Sequence, residues 1–304
     1  MPRSELAQRV LVAAVGIPLA IGIVYLGGWV LAALLAAIAA GAALEFYRLA
    51  ATRGARAFVL PGAVTAAGLV LLAAARPTPA AAAASLWMLV LVFVLAISAA
   101  AIWARGPGGQ PMVSVSTTIV GALLPGGTLG YAIFLRHFVL APWDPARATW
   151  GSGSWTGAAL VAFPLAVTWI GDSAAYFAGK AWGRRKLIPS VSPGKTVVGA
   201  VAGLVSGAVV GVLFAQLVFT AWLRVPLGPV LGAVGGAILA LAAQVGDLAE
   251  SVLKRDAGVK DSGRLLPGHG GVLDRFDALF FAIPVAYWFL RLVLPFPAGG
   301  APWR

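Results

Sequence analysis

Long apolar segments separated by short polar ones run along almost the entire chain. A helix that crosses the hydrocarbon core of a bilayer needs roughly 20 residues. The segments that approach this length lie near residues 10–27, 29–46, 57–75, 86–104, 115–135, 157–178, 197–221, 227–248 and 276–294. The pair Gly27-Gly28 makes a tight hairpin of the first two. The pattern therefore predicts an all-α, polytopic integral membrane protein with about nine transmembrane helices.

The composition changes this picture little. Of the 304 residues, 61% are hydrophobic and 11% are charged, whereas a soluble domain carries about 25% charged residues. The chain contains no cysteine, which excludes a disulfide framework, a thiolate metal site and a cysteine nucleophile. The first span follows Arg3 and Arg9 and also suits a signal peptide, but no clear small-residue cleavage site precedes a soluble domain, which favours its retention.

Basic residues fall mostly on one side of the predicted topology. With a cytoplasmic N-terminus, sixteen of the 22 Lys and Arg residues lie in cytoplasmic segments, in agreement with the positive-inside rule. Such residues attract anionic lipid headgroups, by about 1 kcal/mol each near the surface. The net charge of +12 therefore indicates anionic lipids as partners and not nucleic acid. We expect an integral protein of a bacterial inner (plasma) membrane whose active site faces the cytoplasm.

Acidic residues divide the chain into two parts. Residues 1–150, a predicted scaffold of about five helices, hold three acids (Glu5, Glu45 and Asp144) and no motif beyond helix packing. Residues 151–304 hold the other seven, all near the predicted cytoplasmic face: Asp172, Asp247, Glu250, Asp256, Asp261, Asp274 and Asp277. We therefore expect a C-terminal catalytic domain with cytoplasmic loops at 179–196 and 250–275.

A stripe of glycines marks the seventh span. Gly199, Gly203, Gly207 and Gly211 recur every four residues and so align on one helix face, where they allow another backbone to approach closely. This predicts a tight helix–helix or dimer contact and not a ligand site.

Carboxylates at the end of the eighth span are candidate metal ligands. Asp247, Glu250 and Ser251 share one helix face at spacings i, i+3 and i+4. Magnesium is commonly bound by one or two carboxylates together with waters and substrate phosphates. Pairing of these carboxylates with Lys254 or Arg255, one turn further on, explains the same pattern equally well.

A second acidic pair opens the last helix. Asp274 and Asp277 lie three residues apart and can face one point, although Asp274 also suits a helix N-cap. Directly before them comes a Gly-His-Gly-Gly turn that contains His269, Gly270 and Gly271. Glycines allow backbone N–H groups to approach phosphate oxygens closely. His269 is a candidate general base, a phosphate hydrogen-bond donor or a structural residue.

The sixth span and the loop after it supply further candidates. Asp172 lies within an otherwise apolar helix, which marks it as a functional candidate. The loop contains Gly194-Lys195-Thr196, but Pro189 occupies the position of the first glycine of a Walker A loop and no strand is predicted before it. A basic loop that binds phosphate and a loop that anchors the topology are equally compatible with this sequence.

The segment 251–277 resembles the signature of the phosphatidate cytidylyltransferase (CDP-diacylglycerol synthase) family. The matching residues are Ser251, Lys254, Arg255, Lys260, Asp261, Gly263, Leu266, Pro267, His269, Gly270, Gly271, Asp274, Arg275 and Asp277. Upstream, the residues around Asp172 and the run Ser192-Pro193-x-Lys195-Thr196 resemble other recurring segments of that family. The specific resemblance covers roughly residues 169–279, whereas the N-terminal half shares only its hydrophobicity and number of spans.

This resemblance implies that CTP and phosphatidic acid react to give CDP-diacylglycerol and pyrophosphate. It also implies a homodimer and a divalent metal, Mg²⁺, held by Asp247 and Asp274, with a monovalent cation such as K⁺ as a candidate beside it. We assign catalysis to Asp247, Lys254, His269, Asp274 and Asp277. We assign substrate binding to Asp172, Ser192, Lys195, Thr196, Arg255, Lys260, Asp261, Gly270, Gly271 and Arg275.

Two other functions share some of these features. A CTP-dependent lipid-alcohol kinase would use the same nucleotide at a membrane but would transfer the γ-phosphoryl group. An ion-coupled transporter also needs carboxylates within its spans, but critical charges should then lie near mid-bilayer, often in inverted repeats. Here the charges gather on one side, and the 251–277 pattern does not recur in the first half.

Overall fold

Helices account for most of the chain. The computed structural model describes Gly16 and residues 18–138, 154–263 and 270–294. A short helical stretch at residues 18–26 comes first. The helices that follow are α1 (Gly28–Thr52), α2 (Val59–Ala75), α3 (Pro79–Ala104), α4 (Pro111–Arg136), α5 (Trp155–Trp182), α6 (Val197–Leu213), α7 (Pro229–Asp256) and α8 (Leu273–Val293). A 3₁₀ turn at Pro107–Gly109 precedes α4, and a π-helical segment, Phe214–Trp222, extends α6.

Seven of the described helices are long and apolar enough to cross a membrane, with α6 counted together with its π-helical extension. Helix α2 is apolar but shorter. The prediction of a nearly all-α protein with membrane-spanning helices is thereby confirmed. The total of about nine spans and the cytoplasmic N-terminus stay predictions, since the first predicted span, 10–27, lies largely outside the described residues.

A two-stranded hairpin interrupts the helices at one end of the molecule. Strand β1 (Lys186–Ile188) pairs antiparallel with β2 (Ser192–Thr196), so that Lys186 lies opposite Thr196. We expected only a loop between residues 179 and 196, because the segment is too short and too basic for a strand signal. The hairpin leads directly into α6, whose first turn is capped by the Thr196 side chain, which accepts a hydrogen bond from the backbone N–H of Gly199.

Helix α7 continues two turns further than its apolar segment. Residues 250–256, which we placed in a cytoplasmic loop, are its last residues. It ends where Gly258 adopts a φ of +72°, and the N–H of Val259 closes the helix onto the carbonyl of Lys254. The polar residues Glu250 and Lys254 therefore stand on a rigid helix.

Glycines set the spacing between α6 and α7. A Cβ at Gly207 would lie 2.7 Å from the carbonyl oxygen of Gly236, and one at Gly211 would lie 3.0 Å from the Gly236 Cα. Nearer the hairpin, a Cβ at Gly199 would lie 3.4 Å from the Cα of Gly179 on α5. The predicted tight helix–helix contact is confirmed within the chain, because only glycine leaves room for backbones this close.

The helices form two groups that meet at α8. Helices α1, α2 and α4 pack on one another, as do α5, α6 and α7, while α8 contacts members of both groups. Helix α3 stands at the edge, with only 17% of its most apolar window buried. Its large side chains Trp87, Met88 and Trp103 are exposed, as expected of a helix that faces lipid.

Candidate active site

Helices α7 and α8 approach most closely where their acidic residues lie. A Cβ at Gly246 would be 2.6 Å from the carbonyl oxygen of Asp277, so the backbones touch one residue before Asp247. On its other side α7 is tied to α6, because the Gln244 side-chain amide donates to the carbonyl of Ala200 at 3.1 Å. Asp247 and Asp277 are thereby brought to the same place from two spans.

Lys254 lies between two carboxylates near the end of α7. Its Nζ is 2.7 Å from Asp274 Oδ1 and 2.5 Å from Glu250 Oε2. The three side chains are 14%, 9% and 5% exposed for Lys254, Asp274 and Glu250. A buried charge without its partner is strongly destabilising, so this triad fixes α7 against α8. The alternative that paired the carboxylates of this helix with Lys254 is therefore correct for Glu250.

The second oxygen of Asp274 organises the chain before α8. Asp274 Oδ2 accepts hydrogen bonds from the backbone N–H and the hydroxyl of Ser262 and from the N–H of Gly271, each at 2.9 Å. The N-cap residue is Val272, so Asp274 acts from the first turn and is not itself the cap. Gly270 has a φ of +80°, a conformation that favours glycine. Both oxygens of Asp274 are therefore occupied by donors.

Asp247 is held by the hairpin instead. Lys195, on β2, places its Nζ 2.7 Å from Asp247 Oδ2, with the side chains 27% and 33% exposed. The hydroxyl of Ser251 lies 3.4 Å from the other oxygen, Asp247 Oδ1. The Nε of Arg255 donates to the carbonyl of Val191 at 3.2 Å, which ties the hairpin turn to α7. Asp247 and Lys195 form the more open edge of the site.

Asp172 joins this edge from α5. It is exposed and close enough to Asp247 and Asp277 for their charges to repel one another. The positive charge of Lys195 attracts Asp172. Deeper between α5, α6 and α7, Asp172 and Gln244 line a cavity of about 10 Å³. Sites for small molecules usually enclose about 300–1,000 Å³, so this cavity is far too small for a nucleotide.

A buried glutamate from the N-terminal half reaches the same site. Glu45 on α1 is 2% exposed. Its Oε2 accepts a hydrogen bond from Leu273 N at 2.8 Å. It also lies 3.1 Å from the Ser262 hydroxyl, whose single proton is within reach of both Glu45 and Asp274. We expected only helix packing from this half of the chain, and these polar contacts of Glu45 were not predicted. The only indication in the sequence was a single acidic residue inside an otherwise apolar span. An acidic residue near the end of a helix would give the same pattern.

The remaining predicted site residues fall into three groups. Arg255, Lys260, Asp261 and Arg275 are exposed around the site, and Ser192 is half-buried at the start of β2. Gly271 is buried beside Ser262 and Glu45, and Thr196 is buried as a helix cap. His269 lies outside the described residues.

Carboxyl groups outnumber ammonium groups in these contacts. The contacts involve six carboxyl groups (Glu45, Asp172, Asp247, Glu250, Asp274 and Asp277) and two ammonium groups (Lys195 and Lys254). Exposed Arg255, Lys260 and Arg275 add positive charge around them. Carboxylate oxygens are donors that suit Mg²⁺. Among the described residues, however, no three His, Cys, Asp or Glu side chains are already gathered as a metal site. The donor chemistry fits a divalent ion at Asp247, and Asp274 can contribute Oδ1 only if Lys254 moves.

Fold and site together define a membrane-embedded enzyme with a polar, carboxylate-rich centre at one end of its helices. The model of the Cytidylyltransferase family matches residues 7–293, and the chain belongs to this family.

Similar proteins are found in several bacteria. A phosphatidate cytidylyltransferase of Synechocystis is 33% identical over 299 residues, which cover 95% of this chain and 97% of that protein. One from Haemophilus influenzae is 36% identical over 64% of this chain and 62% of its own length. One from Bacillus subtilis is 44% identical over 45% of this chain and 49% of its own length.

Proposed function

We propose that this enzyme transfers the cytidylyl group of CTP to phosphatidic acid, which gives CDP-diacylglycerol and pyrophosphate. The observation that carries the proposal is the family match over residues 7–293, together with similarity to a phosphatidate cytidylyltransferase along 95% of the chain. The segment 251–277, whose residues carry the resemblance to that family, contributes Lys254 and Asp274 to the centre of the site.

The reaction depends more on neutralising negative charge than on acid–base catalysis. A phosphate oxygen of phosphatidic acid attacks the α-phosphorus of CTP, and the bond from that phosphorus to the bridging oxygen of pyrophosphate breaks. The attacking phosphate is already anionic at neutral pH, so no strong base is required. Two anions must instead be held together while negative charge shifts onto the leaving pyrophosphate, a task for preorganised cations.

Lys254 and Lys195 are the cations best placed for this task. Asp274 and Glu250 fix Lys254 on a rigid helix, and Asp247 fixes Lys195 on the hairpin. Each lysine is therefore oriented before substrate binds, which reduces the reorganisation needed during the reaction. Exposed Arg255, Lys260 and Arg275 lie around these two and would bind the outer phosphates.

A magnesium ion would be held by the carboxyl groups of the site. Asp247, whose Oδ1 makes only a long contact to Ser251, would be the first ligand, and Asp274 would be the second if Lys254 released its Oδ1. Asp277 and Asp172 would be further candidates, since both are close enough to Asp247 for their charges to interact. When bound, the ion would stabilise negative charge that develops on the phosphate oxygens. A monovalent cation such as K⁺ beside it belongs to the same proposal.

The location and the oligomeric state of the enzyme are part of the same proposal. We place the site at the cytoplasmic face of a bacterial inner membrane, where basic residues around the hairpin would meet anionic lipids. We also propose a homodimer, in keeping with the family resemblance of the segment 169–279.

One assay separates this function from its rivals. Purified protein in detergent is given magnesium, phosphatidic acid and CTP labelled either in cytidine or in the γ-phosphate. The cytidine label should enter lipid and the γ-label should appear in pyrophosphate. Entry of the γ-label into a lipid alcohol would instead indicate a kinase, and absence of both labels from lipid would refute the proposal.

A further inference from the structure

Glu45 is the one buried acid that joins the two halves of the described structure at the site. Along the chain it is 217 residues from Ser262 and 228 from Leu273, yet its Oε2 lies within hydrogen-bonding distance of both. Its other oxygen, Oε1, is buried and has no hydrogen-bond partner among the described residues. A buried carboxylate that is only partly satisfied is costly. An apolar residue at this helix position would avoid that cost.

The partners of Glu45 are the groups that hold Asp274. Ser262 donates its N–H and its hydroxyl to Asp274 Oδ2, and the same hydroxyl lies 3.1 Å from Glu45 Oε2. Leu273, whose N–H also reaches Glu45 Oε2, begins the helix that carries Asp274. Glu45 therefore constrains Asp274 from both sides while touching neither Asp274 nor Lys254 in any contact found among the described residues.

Two glycines leave room for this arrangement. A Cβ at Gly263 would collide with the carboxylate of Glu45, and a Cβ at Gly271 would collide with both that carboxylate and the Ser262 hydroxyl. Both glycines belong to the segment 251–277, where they match the family signature. The backbone of this segment is thus folded around the Glu45 side chain and not merely near it.

We propose that Glu45 is a positioning residue for the reaction: through Ser262 and the first turn of α8 it fixes the position of the Asp274 carboxylate in the site. The proposal rests on the cytidylyltransferase function above. It makes α1 a part of the catalytic apparatus, because a shift of about 1 Å at a reacting group can lower turnover by about 10²-fold.

Two variants of Glu45 test separately the length of its side chain and its negative charge. Glu45→Asp keeps the charge but withdraws the carboxylate by one methylene, so it cannot contact both Ser262 and Leu273. Glu45→Gln keeps the length and an acceptor oxygen. Asp256→Asn is the control, since it weakens the exposed Arg53–Asp256 contact, which also joins the two halves but between the end of α1 and α7.

The readouts are kcat, KM for CTP, and amide hydrogen exchange at Ser262, Gly271 and Leu273. Glu45→Asp should lower kcat by about 10²-fold, leave KM for CTP within about threefold, since Glu45 is not a substrate contact, and accelerate exchange at these amides. Glu45→Gln should stay within about tenfold of the wild-type kcat, because it keeps the hydrogen bonds. The control should match the wild type.

Three outcomes would overturn the proposal. The first is a folded Glu45→Asp with wild-type kcat, and the second is a Glu45→Gln impaired as severely as Glu45→Asp. The third is unchanged amide exchange in Glu45→Asp, a result that does not depend on activity. If the wild type itself transfers no cytidine to lipid, the proposed function fails, and the exchange measurement still decides whether Glu45 holds this segment.

Discussion

Both halves of the molecule pack their helices closely, but the close packing has a different consequence in each half. In the N-terminal half, α1, α2 and α4 pack through small residues, and buried polar side chains bond to the backbone, as where the Tyr47 hydroxyl donates to the carbonyl of Thr118 at 2.8 Å. In the C-terminal half, Gly207, Gly211 and Gly236 bring helices equally close, but here the close approach serves to assemble charged side chains. Close helix packing stabilises one half and builds a site in the other.

The two halves are nevertheless connected by polar contacts. The N-terminal half supplies Glu45, buried beneath the segment that leads into α8. At the surface, Thr52 donates to the carbonyl of Ala257 at 3.1 Å, so α1 contacts the C-terminal end of α7 as well. The N-terminal half therefore contacts the site region although its sequence carries no motif for it.

The largest effect should come from the centre of the C-terminal half. Lys254→Ala removes the cation between Asp274 and Glu250, and we expect turnover to fall by about 10²–10³-fold, as for loss of a transition-state hydrogen-bond donor. The two carboxylates left behind should also lower the free energy of unfolding, by about 3–5 kcal/mol. Steady-state kinetics and thermal unfolding in detergent measure both. Lys186→Ala, on the exposed face of β1, is the control, and similar losses in both variants would contradict the assignment.

Asp274→Asn acts at the same centre and should be at least as severe for turnover. It keeps the size of the side chain but weakens the contact with Lys254 and removes a charged metal ligand, so CDP-lipid formation should be abolished while the protein stays folded. Binding of Mn²⁺, followed by its paramagnetic resonance in the absence of substrate, should weaken by tenfold or so for each ligand lost. Near-normal turnover in this variant would remove Asp274 from the catalytic group, and unchanged Mn²⁺ affinity would remove it from the metal site.

Adding a methyl group at a close glycine contact should destabilise both halves to a similar extent. A Cβ at Gly126 on α4 would lie 2.5 Å from the carbonyl oxygen of Ala66, and one at Gly211 would press on Gly236. We expect Gly126→Ala and Gly211→Ala each to destabilise by about 1–3 kcal/mol, measured by thermal unfolding. Gly127→Ala, with nothing within 4 Å of its new Cβ, should be close to neutral. If it destabilised as much as Gly126→Ala, overpacking would not be the cause.

The smallest effect should come from the exposed contact between the halves. Arg53 and Asp256 lie 3.5 Å apart with side chains 61% and 63% exposed. Exposed ion pairs contribute about 0–1 kcal/mol, so Arg53→Ala should hardly change the unfolding temperature or turnover. A large loss of turnover would mean that the surface contact, and not Glu45, couples the halves.

Sequence reasoning recovered the helices because each bilayer span must be long and apolar, a requirement that the composition displays directly. It also selected Asp247, Lys254 and Asp274, since charged residues among apolar spans are costly and need a reason. It missed the hairpin, whose strands of three and five residues carry no periodic signal. The contact between Glu45 and Ser262 was also not predicted, because it joins residues more than 200 positions apart and no local pattern records it.

The most direct test compares the initial rate at which cytidine label enters lipid for the wild type and for Asp247→Asn. Both proteins are purified in detergent and supplied with CTP, magnesium and phosphatidic acid, and thermal unfolding verifies that both are folded. We expect steady transfer of label by the wild type and loss of nearly all transfer in the variant. Equal rates in the two proteins, or an unlabelled lipid in both, would contradict it.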